Sequence, residues 1–453
     1  MLRARVLAIA TLAVGASLAP SARASFGEPV EIARGSGGFN LAADADAAGL
    51  TTLLTSSGDR GARFYEHPAG GPWSAAAALP GGPRGVAGPV LDAAGQGALG
   101  MAWRVDVPRH YSGIDVAVRE PGGILGQPVE VTGPDAGGVR HPALAIDRAG
   151  DALLAYHVGT SATHLNRGGG IAIVRRSAGG AFSRPAVVDR AVSSAPAAAL
   201  GPDGTGIVAW THDHGVYAVS VDADGRLGKV KRIASPGSVT SVVAAAGRDG
   251  AATLAWIGRR TVGKGRTARN RRDVQAIGRT AGRTFAAVRS VASTTDYVRS
   301  LRIAADDGDQ VTLAWSREHF GEAHSIGNNG ITSAVLATTA SAGERLPAPR
   351  TIASGGGLYR ATPAVTAAGG RVAMSWGFQA GRNDFGVQAV VGRPGALGPA
   401  QTLALISNAP SFGGLPPSVA TLAPTGVATV VYVASVGKPP AIPVVSLLAA
   451  DGS

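Results

Sequence analysis

Apolar residues in this chain come in short runs, and the runs come in pairs. "HPALAIDRAGDALLAYHV" at 141–158, "APAAALGPDGTGIVAWTH" at 195–212 and "VTSVVAAAGRDGAATLAWIG" at 239–258 share one plan. So do "VRSLRIAADDGDQVTLAWSR" at 298–317, "ATPAVTAAGGRVAMSWGF" at 361–378, "GPVLDAAGQGALGMAWRV" at 88–105 and "PPSVATLAPTGVATVVYVA" at 416–434. A first copy, "FNLAADADAAGLTTLLT" at 39–55, fits less well. Each reads as an apolar strand, a tight turn and a second apolar strand. The turn glycines are Gly49, Gly97, Gly150, Gly204, Gly250, Gly308, Gly369 and Gly426. Such turns favour positive φ, which glycine adopts at no steric cost. Six or seven residues on, an aromatic recurs: Trp103, Tyr156, Trp210, Trp256, Trp315, Trp376 and Tyr432. A slot repeated so regularly is a packing position between neighbouring sheets.

After each pair comes a second hairpin, as in "GVYAVSVDADGRLGKVKRIAS" at 215–235. Its turn runs from Gly to a Phe, Trp or Leu: Trp73, Leu125, Phe182, Leu227, Phe285, Leu346, Leu397. One unit is therefore four antiparallel strands over roughly 46 to 60 residues, the dimensions of a propeller blade. The last copy stops inside its second hairpin and lacks the outer strand. "FGEPVEIA" at 26–33 supplies it, because it aligns with "LGKVKRIA" at 227–234 and "LGPAQTLA" at 397–404. The expectation is an all-β, eight-bladed β-propeller of four-stranded antiparallel blades, the last closed by the N-terminal strand alongside residues 441–450. Seven blades is the alternative, since the first copy has no aromatic in its slot.

Composition changes the picture at the N-terminus. Arg3 and Arg5 precede the apolar run "VLAIATLAVGASLA", and Ala22-Arg23-Ala24 has the small-x-small form of a signal-peptidase site. Residues 1–24 read as a signal peptide and 25–453 as a single propeller domain, secreted or held in the cell envelope. No later stretch approaches the ~20 apolar residues of a membrane span. The chain has no Cys, which rules out disulfides and thiolate metal sites. Its formal charge of +12 falls to +9 once Arg3, Arg5 and Arg23 are removed, which suits an acidic partner. "LAPTG" at 422–426 mimics a sorting signal, but the repeat places Gly426 in a hairpin turn.

In a four-stranded antiparallel blade, the turns after strands one and three share a face. The loops after strand two and the links between blades share the other. The first set is short and uniform; the second varies, and function gathers on such loops. Seven of the nine histidines fall after strand two: His110, His157, His164, His212, His214, His319 and His324. His141 lies in a link on the same face. The expected ligand-binding residues are Arg140, His141, His212, Asp213, His214, Arg299, Glu318, His319 and Arg360. His212-Asp213-His214 has donors suited to a divalent ion, yet spacing alone does not make a metal site. Glu318, His319, Glu322 and His324 form the loop richest in acids and bases. The loop 258–273 holds seven basic residues with no interleaved aromatic, so a nucleic-acid platform is not expected. It is either a charged insertion or a clamp for phosphate or carboxylate groups.

The blade pattern resembles secreted bacterial propellers of the sialidase-like, BNR-repeat type. Their Asp-box, Ser-x-Asp-x-Gly-x-Thr-Trp, survives as a trace in "HPAGGPW" (67–73), "SAGGAF" (177–182) and "VDADGRL" (221–227). That family holds a carboxylate with three arginines beside a Tyr–Glu nucleophile pair and an Asp acid. Here Arg140, Arg299 and Arg360 start inner strands, with Tyr297 and Tyr359 beside two of them. No Phe-Arg-Ile-Pro motif is present, and the acids cannot be placed residue by residue, so no catalytic residue carries over. The reading is an exported binding module, a monomer without cofactor or bound metal. Its partner is a glycan, an anionic wall polymer or an extracellular protein, met on the loop face. The alternative is a sialidase-like glycoside hydrolase or polysaccharide lyase.

Overall fold

The computed structural model describes residues 26–36, 40–57, 61–79, 86–105, 113–132, 138–159, 169–191, 194–235, 237–263, 269–320, 331–355, 361–379, 384–406, 418–436 and 444–452. Among these, eight antiparallel sheets form a ring. Blades 1 to 7 occupy residues 40–78, 86–130, 139–189, 197–234, 238–294, 297–355 and 364–406. Blade 8 takes residues 418–452 and borrows Val30–Ser36 as its outermost strand. Seven sheets have four strands. Blade 7 counts five because its outer strand is broken into Ala396–Leu397 and Gln401–Ile406. In blades 2, 3 and 4 single bridges, such as Arg176 with Phe182, stand in for the first of these pieces. Inner strand lies against inner strand around the whole ring, and Ser418–Leu422 against Asn40–Ala45 completes it. No helix among the described residues is long and apolar enough to cross a membrane.

Closure follows the expected pairing. Val30 stands opposite Ala449 and Ser36 opposite Val444, antiparallel. Phe26 anchors the approach. It is buried among Val387, Leu422 and Tyr432, and its backbone exchanges two hydrogen bonds with the Gln401 amide at 2.7 and 3.1 Å. The two chain regions thus meet in one sheet, which removes the two edges an open array would expose.

The repeated aromatics do hold the seams. Trp103 lies between blades 1 and 2, Tyr156 between 2 and 3, Trp210 between 3 and 4, and Trp256 between 4 and 5. Trp315, Trp376 and Tyr432 fill the next three seams. At about 150–250 Å² buried each, and ~25 cal/mol/Å², every one contributes about 4–6 kcal/mol before entropy is counted. Three of the indole N–H groups have side-chain acceptors. Trp256 donates to Gln275 at 2.7 Å, Trp376 to Gln388 at 3.1 Å and Trp210 to Asp189 at 2.6 Å. Blade 1 lacks the aromatic in its second strand, and the seam with blade 8 is filled by Tyr65 from its third strand.

Turn chemistry departs from the expectation in blade 6. Gly308 does not take positive φ; Asp309 does, at 61°. The turn keeps step with the others, since Asp309 follows Asp306 as Gly49 follows Asp46 and Gly150 follows Asp147; only the glycine is displaced by one. Asp309 tolerates the left-handed region, and its carboxylate accepts the Arg248 amide of blade 5 at 2.9 Å. Asp46, Asp147 and Asp306 add a device the repeat did not announce. Each carboxylate accepts two backbone amides of its own turn at 2.7–2.9 Å.

Candidate ligand-binding face

The antiparallel order puts the first and third turns on one face of the disc and the second-strand loops on the other. Several of those loops, with His110, His164, Glu322, His324, Tyr359 and Arg360, lie outside the described residues, as does the stretch 1–25. What is described of the loop face falls into three clusters.

Blades 5 and 6 carry the longest hairpins, Ala252–Val262 with Arg269–Arg279 and Gln310–Phe320 with Ile331–Ser341. The basic loop of blade 5 is therefore an extended hairpin. It sets Arg259 opposite Arg272 and Arg260 opposite Arg271. Like charges facing each other destabilise a ladder, and the structure separates them. Arg260 and Arg271 turn to the buried Asp273, at 3.0 and 3.4 Å. Arg272 lies over the Tyr297 ring, 3.8 Å from its centre, and donates to the Asp296 carbonyl at 3.3 Å. On blade 6, Tyr297 pairs with Glu318 across the ladder, and Arg299 follows at the start of a bulge. Arg299 Nε donates to Glu318 at 2.9 Å and lies 5.5 Å from the Tyr297 ring centre. Glu318 is 0% exposed, so it meets a ligand only through Arg299. Asp296 orients His319 Nδ1 at 2.8 Å and faces Arg317 at 3.6 Å. Tyr297 itself is 42% exposed, an aromatic surface flanked by fixed guanidinium donors.

In blade 4, Asp213 and His214 have φ of 43° and 60° and form the two-residue turn between His212 and Gly215. Positive φ at both central positions defines a type I′ hairpin turn, which explains Asp at its first position. His212 stacks on Tyr217 with centroids 5.6 Å apart and lies 3.4 Å from Asp189. The three residues do not converge, and among the described residues no group of three or more metal-type donors gathers.

In blade 3, Arg140 stands opposite His157, and His141 sits on a bulge with φ of 52°. His157 is buried, whereas His141 is exposed. Although His141 lies at the surface, partial burial of its ring lowers its pKa, helped by the charges of Arg140 and of Arg104 from blade 2. Burial also lowers that of His157, with His141 and Arg140 adding to it. Blades 4 and 5 stand between Arg140 and Arg299, so these two arginines do not share one cluster.

The central channel holds a cavity of about 370 Å³ that touches all eight inner strands and lies toward the turn face. Its wall is mostly alanine: Ala145, Ala199, Ala245, Ala304 and Ala367. Blades 1 and 2 place Asp44 and Asp92 at the equivalent position. Asp44 accepts the Ala93 amide at 2.9 Å, and Asp92 accepts the Ile146 amide at 2.7 Å, each from the next blade. Burial raises Asp44 to about 6 despite those amide bonds, and burial with the charge of Asp44 raises Asp92 well above the usual range. Sequence reading missed this pair. The signal was present, as an Asp two residues before the turn in two adjacent copies and small residues there in the rest.

No protein-family model and no curated protein matches the chain. Its fold is similar to that of the BP39L lectin from Burkholderia pseudomallei, at 12% identity and a TM-score of 0.51, over 82% of this chain and 100% of that one. It is also similar to an ulvan lyase of polysaccharide lyase family PL25, at 12% identity and a TM-score of 0.47, over 78% and 93%. A third likeness is the Hadza microbial sialidase Hz136, at 15% identity and a TM-score of 0.39, over 74% and 73%. Fold and repeat together define the class: an all-β propeller. At these identities the likeness is one of fold alone.

Proposed function

We propose that the protein is an exported binding module that recognises a glycan on its loop face. The observation that carries this reading is the exposed Tyr297 ring with the guanidinium groups of Arg272 and Arg299 beside it, and His319 and Arg317 fixed nearby by Asp296. An aromatic surface beside oriented donors suits a sugar, which offers C–H faces and hydroxyl acceptors together. The remnant Asp-box turns support a place near the sialidase-like, BNR-repeat propellers, and residues 1–24 support export. The test is a glycan array with the wild type and with Tyr297→Ala. Retained glycans that lose at least about tenfold in affinity in the variant support the reading; no retention of any glycan refutes it.

Glycan cleavage is the second reading, favoured by one feature. Tyr297 stands opposite Glu318, whose carboxylate is held by Arg299. A Tyr with a carboxylate across the ladder from it is the residue pairing that a nucleophile and its base require. Product release from a bound glycan, abolished by Tyr297→Phe with binding kept, would establish it.

A further inference from the structure

Blades 3 and 6 begin in the same way and differ in one respect. Their inner strands carry a bulge at the same place, between Arg140 and Ala143 and between Arg299 and Arg302. The next residue has positive φ in both, His141 at 52° and Ser300 at 54°. Arg140 is thus the counterpart of Arg299. In blade 6 the arginine finds its anion within the protein, because Glu318 lies two positions beyond Ser316, the residue opposite Arg299. In blade 3 the same count from His157 reaches Gly159. Nothing larger fits there, since a Cβ on Gly159 would lie 2.8 Å from the Gly138 carbonyl. The carboxylate that neutralises Arg299 therefore has no counterpart beside Arg140.

Other cations converge on this position. His157 faces Arg140 across the ladder, His141 follows it, and Arg104 reaches over from the end of blade 2. His157 is 7% exposed, and its buried Nδ1 has no hydrogen-bond partner. Gly169 makes room for the ring, as a Cβ there would lie 2.8 Å from His157 Cε1. Among the described residues no carboxylate pairs with Arg140, His141 or His157. Asp189 of blade 3 accepts from Trp210 and faces His212 instead. The third strand of blade 3 begins Gly-Gly-Ile, and its charges, Arg175 and Arg176, stand at its far end.

We infer that Arg140, His141 and His157, with Arg104 alongside, form an anion site that takes the carboxylate or sulfate group of an acidic glycan. The anion occupies the place Glu318 holds in blade 6. For the glycan this rests on the function proposed above; for the anion it rests only on this cluster. Burial, with the neighbouring positive charges adding to it, keeps both histidines neutral to lower pH than usual, so a bound anion restores their protons and binds more tightly as pH falls.

The probe is inorganic sulfate. Full-length protein with 15N-labelled histidine is titrated in sodium sulfate and in sodium chloride at matched ionic strength, with His141→Gln and His157→Gln assigning the signals. Sulfate is expected to raise both midpoints by about one unit, a tenfold linkage, and Arg140→Gln to abolish the shift. Equal midpoints in the two salts overturn the site. A glycan array with sulfated, uronate-bearing and neutral members then separates the two claims. Preference for either acidic class, lost at least tenfold in Arg140→Gln, supports the site and tells sulfate from carboxylate. Sulfate-shifted histidines with no glycan retained leave the anion site standing and remove the glycan reading. Neutral glycans retained with no sulfate shift do the reverse.

Discussion

On the turn face, Arg119, Arg176 and Arg279 each end a third strand, and each does the same two things. Each donates to the carbonyl of its own blade's turn glycine, Gly97, Gly150 or Gly250. Each also reaches the preceding blade, at Glu66, Glu120 or Ser220. On the loop face, Arg260, Arg271, Arg272, Arg299 and Arg317 form no such series: the first two share Asp273, Arg272 and Arg317 meet the carbonyl and the carboxylate of Asp296, and Arg299 holds Glu318. Exposure separates the two sets: the side chains of Arg119 and Arg176 are 11% and 13% exposed, those of Arg260 and Arg299 57% and 43%. One residue type serves as a seam fastener on one side and as a presented donor on the other. Repetition marks the structural use, and irregularity marks the surface open to a partner.

That contrast can be broken most forcefully at the seams. Arg119→Ala leaves the Gly97 carbonyl and Glu66 without their shared donor in a half-buried setting, at a cost of about 1–3 kcal/mol. Chemical denaturation should show the loss, while ligand affinity on the other face stays as it was. The channel pair comes next. Asp44 has a folded-state pKa above its unfolded value, so the folded protein holds the extra proton. Stability from this pair is therefore greatest below about pH 4 and falls as pH rises through about 6, and further as Asp92 ionises. Asp44→Asn should stabilise the protein at pH 7.5 by on the order of 1–2 kcal/mol and flatten this slope. A thermal melt series from pH 4.5 to 8 reads both.

On the loop face the order of effects reverses. Arg272→Ala should change stability by no more than about 0.5 kcal/mol, yet weaken glycan binding about tenfold, measured by calorimetry. Equal losses of stability from Arg119→Ala and Arg272→Ala would erase the distinction between the faces. The smallest effect is expected at the blade 4 turn. His214→Gly creates the Asp-Gly pair that a type I′ turn favours, and should raise stability by about a few tenths of a kcal/mol, read by chemical denaturation.

The blade plan was legible because glycine turns and seam aromatics recur at fixed offsets, and because residues 26–33 matched the missing outer strand. Tyr65 was not legible as a substitute, since a third strand fills that seam only once the sheets are packed. The described candidates lie on the loop face, as the repeat frame places them, but they do not gather into one group. Arg140 and Arg299 share a position within their blades, which says nothing of their separation around the ring. Glu318 looked like a loop acid, yet the blade 6 hairpin extends past it and buries it against Arg299. Asp273 and Asp296 passed unnoticed because their importance comes from which arginines fold onto them. Arg360 lies outside the described residues.

Borrowing Val30–Ser36 for the last sheet has a consequence for synthesis. Among the described residues, Val30–Ser36 pairs only with Val444–Gly452, more than 400 residues later in the chain. The ring therefore cannot shut until Val444–Gly452 has been made. Until then a nascent chain carries an open edge on each side of the gap, and a neighbouring chain could pair with either. Ribosome stalling before Val444 would release a molecule with nearly all its blades and no clasp.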